Sequence, residues 1–333
     1  MIAVVDVGTK STKLVIASAE AFQADGFSWK HFIPPKGLTT GYLNDLDEAA
    51  SGGNHIRIER LGHVVATLRI AHEDCRKFRV RDEDVVAFAT GALRGAENVS
   101  EVLEYLYANT GMRIRVLPGL DEAQWSILAC IVALPGLEDQ PVTMIDQGGG
   151  STEVATGRMS GELLKIEGMA SLALGSSGLT RRAVNNKPTI TVGAALEATY
   201  ALVRGEIGQD RELPARATGA RVIGMGGGVM KLSGWRTAPQ YHGRRWGRDE
   251  VLERARAVLR KMKAEDRPLR EVLEDKSDRN RKIHENASTV VSLCGGIPIV
   301  LALLDHFQCP ELTICGTGLR FGVFFAKCLG LVA

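Results

Sequence analysis

Three glycine turns in this chain stand at the ends of apolar runs, and each has the chemistry of an anion cradle. The first is Asp6-Val7-Gly8-Thr9-Lys10-Ser11-Thr12-Lys13, a carboxylate at a strand end followed by a glycine turn rich in hydroxyls. Glycine lets the backbone approach a ligand closely, and turn N–H groups with neighbouring hydroxyls can ring a phosphate. Gly8, Thr9, Lys10 and Ser11 are the candidate contacts. An ordinary hairpin turn is an equally good reading of this segment alone.

The second turn, Asp146-Gln147-Gly148-Gly149-Gly150-Ser151-Thr152-Glu153, repeats the design with three consecutive glycines. Each glycine costs roughly 1 kcal/mol relative to alanine in regular structure, so a run is kept where nothing larger fits. A flexible linker is the plainer reading, but linkers rarely sit between two apolar strands. Gly148, Gly149, Gly150 and Ser151 are therefore candidate phosphate contacts. The third turn, Gly224-Met225-Gly226-Gly227-Gly228, follows a strand and precedes Val229-Met230-Lys231-Leu232. Free N–H groups at a helix start attract anions, which adds Gly226 and Gly227 to the set.

The elements that must hold these turns are visible in the periodicity. Ile2 to Val7 and Lys13 to Ala17 read as a strand, a tight turn and a second strand, and Val142 to Ile145 with Ser151 to Thr156 repeat the pattern. Strands are expected at Val85 to Phe88, Ile114 to Leu117, Arg221 to Ile223 and Leu312 to Ile314. Helices are expected at Ile56 to Cys75, Asn98 to Tyr107, Asp121 to Leu134, Val192 to Arg204, Val251 to Ala264 and Ile297 to Leu304, with another from Phe321 onward. Strands alternating with helices give α/β lobes, and the strand-turn-strand hairpins make the sheets mixed. A chain of 333 residues suits two domains. The expected division is 1–124 with the C-terminal helix 319–333 as one lobe and 125–318 as the other.

Bulk composition narrows the class. Hydrophobic residues at 45% and charged residues at 24% are the proportions of a folded globular chain. The apolar start Met1 to Val5 ends at Asp6 and the run Ile297 to Leu304 ends at Asp305, both short for a signal peptide or membrane span, so a cytoplasmic location without membrane is expected. The six cysteines form no C-x-x-C pair and read as reduced core residues. Net charge is only +2, yet Arg and Lys outnumber Asp and Glu between Trp235 and Lys282. Such a stretch either attracts a polyanion or is a solvated helix face with pairs such as Glu250 with Arg254. Aromatic residues at 5% offer no stacking platform, so nucleic acid is not an expected partner.

Seven motifs in order carry a resemblance. They are the first loop; Ala89-Thr90-Gly91-Ala92-Leu93-Arg94 with Asn98; Gly119-Leu120-Asp121-Glu122-Ala123; the loop from Asp146 to Glu153; Ser171-Leu172-Ala173-Leu174-Gly175 with Leu179; the turn from Gly224 to Gly228; and Gly318-Leu319-Arg320 with Gly322. With these the chain resembles the exopolyphosphatase and guanosine pentaphosphate phosphohydrolase family, in its short form, over nearly its whole length. The resemblance implies two ribonuclease H-like lobes of the actin-like ATPase superfamily, with mixed sheets and an interdomain cleft. It also implies hydrolysis of a terminal phosphate from inorganic polyphosphate or guanosine pentaphosphate.

Residue by residue, the resemblance makes Glu122 the catalytic base, Glu153 the second important glutamate, Asp146 the loop carboxylate and Arg94 the phosphate-binding arginine. The chemistry agrees: a carboxylate near a helix start can take a proton from water, and guanidinium can grip a phosphoryl group through two parallel hydrogen bonds. Asp146, Glu153 and Asp6 are hard oxygen donors suited to Mg²⁺, the expected cofactor. Lys10 stands where the family generally has asparagine, Gln147 where it has an aliphatic residue and Phe321 where it has glutamate, changes that bear on substrate preference. An actin-fold kinase or ATPase and a non-catalytic phosphonucleotide sensor are the competing classes. A homodimer is left open.

Overall fold

Ile2–Val7 (β1) is apolar and β-branched along its whole length because it is a central strand: all six residues are buried. It pairs antiparallel with Ser11–Ala17 (β2) and parallel with Val85–Ala89 (β5), which in turn pairs parallel with Ile114–Val116 (β6). Short strands Phe32–Ile33 (β3) and Thr40–Leu43 (β4) extend the sheet by pairing with β2. The computed structural model describes residues 1–9, 11–33, 40–43, 54–137, 139–161, 163–216, 219–232, 238–274 and 287–331.

The chain forms two compact units, Met1–Ala133 with Thr317–Ala333, and Leu134–Gly316. The first unit thus includes all of the helix Gly119–Ala133, whereas the sequence reading divided the chain inside it, at 124–125. Each unit has its own hydrophobic core.

In the first unit, helix α1 (Ala19–Asp25) is capped by the Ser18 hydroxyl, which accepts from Ala21 N–H. Helix α2 (Gly62–Lys77) buries Val64, Val65, Leu68, Ala71 and Cys75 along one stripe. It starts later than the apolar spacing predicts, after a separate 3-10 turn at Ile58–Arg60. A short helix α3 (Gly91–Arg94) follows β5, and α4 (Val99–Thr110) closes with Gly111 in the left-handed region. Helix α5 (Gly119–Ala133) is apolar on nearly all sides because the C-terminal helix Leu319–Cys328 also packs on it. The two come so close that a methyl group on Gly322 would overlap the Trp125 carbonyl.

The second unit repeats this topology. Val142–Gln147 (β7) pairs antiparallel with Thr152–Ser160 (β8) and parallel with Arg221–Gly226 (β10), which pairs parallel with Glu311–Ile314 (β12). Leu163–Leu172 (β9) and Arg245–Gly247 (β11) are the edges. Helices α6 (Ser176–Asn186), α7 (Val192–Gln209), α8 (Gly227–Lys231), α9 (Arg248–Lys261) and α10 (Ile297–His306) surround the sheet. A π-helical turn, Ser292–Gly296, leads into α10. The continuous helical stretch Ala287–His306 is long and apolar enough to cross a membrane, which the shorter run read from sequence is not, yet 83% of its most apolar window is buried within the protein.

Candidate active site

The first unit brings two of the expected catalytic residues together. Glu122 lies in the first turn of α5, its N–H bonded to Pro118 O at 3.1 Å, and is only 4% exposed. Arg94 ends α3, and its Nη1 stands 2.9 Å from Glu122 Oε2 while donating to Leu117 O at 3.1 Å. Leu117 is tied to the end of β5 by its own N–H on Ala89 O, 2.9 Å. The strand ends thus hold Glu122 and Arg94 in one geometry. A buried carboxylate is costly without a counter-charge, and Arg94 supplies it.

Asp6 is buried near the end of β1, directly opposite Lys13 of β2 in the ladder. The turn after it closes through Gly8 N–H on Ser11 O at 3.1 Å, with Thr9 and Ser11 half-buried. Lys10 lies outside the described residues.

The second unit carries the same turn in a more built form. Gly148 N–H bonds Ser151 O at 2.9 Å, and a methyl on Gly148 would sit 2.8 Å from that oxygen. The carbonyls of Gly148 and Gly149 accept from Ser176 N–H at 3.1 Å and Ser177 N–H at 3.0 Å, at the start of α6. In a planar trans peptide the N–H points opposite to the C=O, so the N–H groups of Gly149 and Gly150 face away from α6. Gly148 and Gly149 are half-buried and Gly150 is exposed, and successive turn amides of this kind are a backbone arrangement able to bind an anion. Gly175 permits this contact, since any side chain there would overlap Gly149 and Gly150. Thr152 Oγ1 secures the same segment by donating to Leu174 O at 2.7 Å.

Asp146 and Glu153 are direct partners across β7 and β8, so their side chains share one face of the sheet. Glu153 is 5% exposed, and its Oε1 accepts from Ser171 Oγ of β9 at 3.0 Å. Among the described residues no three His, Cys, Asp or Glu side chains form a preformed metal cluster. The third turn places Gly226 opposite Gln147 in the parallel ladder, with φ of +90°, and a Cβ there would overlap the Gln147 backbone. Gly227 is exposed and begins α8, a helix of only five residues.

Sequence reasoning grouped Ser171 and Gly175 in one motif but gave neither a task; the structure makes Ser171 the hydrogen-bond donor to Glu153 and Gly175 the seat of the glycine loop. Among the described residues of the basic stretch, ion pairs lie on the surface of α9 and its neighbours: Arg254 with Glu250, Arg256 with Glu197, Arg260 with Glu253, Arg245 with Glu311 and Arg248 with Asp305, while 235–237 and 275–282 lie outside the described residues. Arg254 also lies over the Trp246 ring at 4.2 Å. For α9 itself, these contacts describe the solvated, paired helix face.

A model of the Ppx/GppA phosphatase family matches residues 45–330. The chain belongs to this family. An uncharacterised protein of Streptomyces coelicolor is 33% identical to this Ppx/GppA chain over 177 residues, 53% of this chain and 48% of that one. Exopolyphosphatase 1 of Mycobacterium leprae is 35% identical over 105 residues, 32% of this chain and 30% of that one. The crystal structure of the Aquifex aeolicus Ppx/GppA family member superposes with a TM-score of 0.69 at 21% identity, covering 100% of this chain and 98% of the other, and shows the shared two-lobe actin-like fold. The chain spans half or less of the length of the curated relatives it matches. Phe321, where the family pattern has glutamate, is fully buried against Phe32 at 5.0 Å and Trp29 at 5.7 Å. This Ppx/GppA protein therefore uses that position for packing.

Proposed function

We propose that this protein is a phosphohydrolase of phosphoric anhydrides that releases terminal orthophosphate from inorganic polyphosphate. The carrying observation is the buried Glu122, held at a helix start and paired with Arg94 at 2.9 Å. Family membership and the exopolyphosphatase relatives support the same reading. Glu122 takes a proton from water as the water oxygen attacks the terminal phosphorus, and the bridging P–O bond breaks with its electron pair leaving on the shortened chain. Arg94 has its guanidinium at the carboxylate, so a phosphoryl oxygen can share its donors and its charge. In the second unit, the Gly149 and Gly150 amides, which face away from α6, offer donors suited to phosphate oxygens.

Asp146 and Glu153 fit a hard divalent cation. Two carboxylates side by side on one strand pair repel each other, and Mg²⁺ usually binds one or two carboxylates, several waters and substrate phosphates. When bound, Mg²⁺ would neutralise charge gathering on the leaving oxygen. All six cysteines are free, and burial pushes the thiols of Cys75, Cys294 and Cys328 up to about 12, so these stay protonated and unreactive at neutral pH.

Phosphate release from polyphosphate, guanosine pentaphosphate and ATP, each with and without Mg²⁺, tests the reading. Cation-dependent release from polyphosphate is the expected result. Preference for guanosine pentaphosphate would move the substrate to the nucleotide. Binding without release would make the protein a sensor, and release from none of the three would contradict the proposal.

A further inference from the structure

Gln147 is the last residue of β7, and its side chain is fully buried. A buried primary amide needs partners at both ends, because an unmade hydrogen bond there leaves the full desolvation cost. Gln147 finds them in two different glycine turns. Its Oε1 accepts from Gly228 N–H at 2.8 Å, and its Nε2 donates to the Gly148 carbonyl. Space for the amide is made by glycines on two sides: a methyl on Gly228 would lie 2.6 Å from Oε1, and one on Gly296 would lie 2.6 Å from Cδ. Gly296 closes the π-helical turn before α10, and the adjacent Gly295 leaves no room between that turn and Ser176. A π turn is a local defect that proteins often keep at functional sites. Here its two glycines seat the Gln147 amide and the start of α6.

We infer that Gln147 is a positioning residue, coupling the Gly148–Ser151 loop to the Gly226–Gly228 turn so that the Gly149 and Gly150 amides hold one phosphate-binding shape. The inference rests on the proposed phosphohydrolase reading of that loop. The Gly148 carbonyl is shared between Ser176 N–H and Gln147 Nε2, and its peptide plane sets the direction of the Gly149 N–H. An apolar side chain of equal size removes one of these two restraints and strands the Gly228 N–H. Glutamate keeps an acceptor for Gly228, cannot donate to Gly148 when ionised, and brings negative charge under the loop.

The test compares Gln147→Met and Gln147→Glu with the wild type by backbone hydrogen exchange and by tripolyphosphate hydrolysis. In Gln147→Met, exchange at the hydrogen-bonded amides of Gly148 and Gly228 should quicken about ten-fold, and KM should rise about ten-fold while kcat stays within about three-fold. In Gln147→Glu, Gly228 should remain slow to exchange while KM rises at least as far. Exchange and KM unchanged in both variants would overturn the inference. So would quicker exchange spread evenly over the second unit with KM unchanged, since that marks a purely structural role. Exchange reads the coupling even if the wild type hydrolyses nothing, so failure of the activity and failure of the coupling are separable.

Discussion

Arg94 and Glu122 stand 2.9 Å apart with Glu122 almost wholly buried, so each has a structural task as the other's counter-charge. Removing one partner of a buried ion pair leaves the other charge without compensation. Arg94→Ala should therefore lower stability by about 3 kcal/mol, the lower end of the range because Arg94 keeps partial solvent access, as well as weakening phosphate binding and rate. Thermal unfolding together with kinetics checks this. Arg94→Lys should restore much of the stability but not the rate, since a single ammonium cannot copy the planar fork. Full activity in Arg94→Ala would leave that arginine a fold residue alone.

Between elements, α5 and the C-terminal helix approach closely at Gly322. Gly322→Ala should destabilise by about 1–3 kcal/mol or prevent folding, because the added methyl meets the Trp125 carbonyl backbone, which cannot rotate away. An unchanged melting temperature would refute that packing.

In the second unit, three helices are tied by one network. Arg248 of α9 grips Asp305 of α10 through Nε at 2.6 Å and Nη2 at 3.2 Å, and also donates to Tyr200 OH of α7 at 2.8 Å, while Tyr200 donates to Asp305. Burial alone would raise the Asp305 carboxyl, but hydrogen bonds from Arg248 and Tyr200 outweigh it and hold the group below the ordinary carboxylate range. A depressed folded value gives stability that is present above the unfolded value and lost as pH falls through the folded one. Asp305→Asn should thus destabilise the protein at neutral pH and flatten the loss of stability on acidification below the ordinary Asp range. Denaturant melts from pH 7 to pH 3 measure it, and parallel curves for variant and wild type would remove the network from the acid response.

How much of this was legible before the coordinates depends on the kind of element. β1 and β7 could be read because strands buried on both faces are continuous apolar runs, and α5 because its apolar stretch is long and stopped by Pro135-Gly136. β9 could not, since an edge strand buries only part of one face and Leu163–Leu172 shows weak alternation. The π turn before α10 was hidden as well, although the glycine pair Gly295-Gly296 within an apolar helix was its trace. The candidate site residues were named from the motifs alone. The pairing of Arg94 with Glu122, the donor role of Ser171 and the bridging amide of Gln147 are contacts between distant segments, which local patterns do not encode.

At the scale of the whole molecule, one topology appears twice: a hairpin around a glycine turn, then parallel strands, with a carboxylate near the end of the first strand of each hairpin, Asp6 and Asp146. The hairpins differ at the facing position, where Lys13 answers Asp6 but Glu153 answers Asp146. Glu122 and Arg94, 2.9 Å apart, both belong to the first unit. The most direct measurement is phosphate release from tripolyphosphate with Mg²⁺ by wild type and Glu122→Gln, with affinity taken by calorimetry. We expect release to fall by at least about 100-fold in the variant with tripolyphosphate affinity within about three-fold. Equal release from the two proteins would contradict the assignment of Glu122 as the group that activates water.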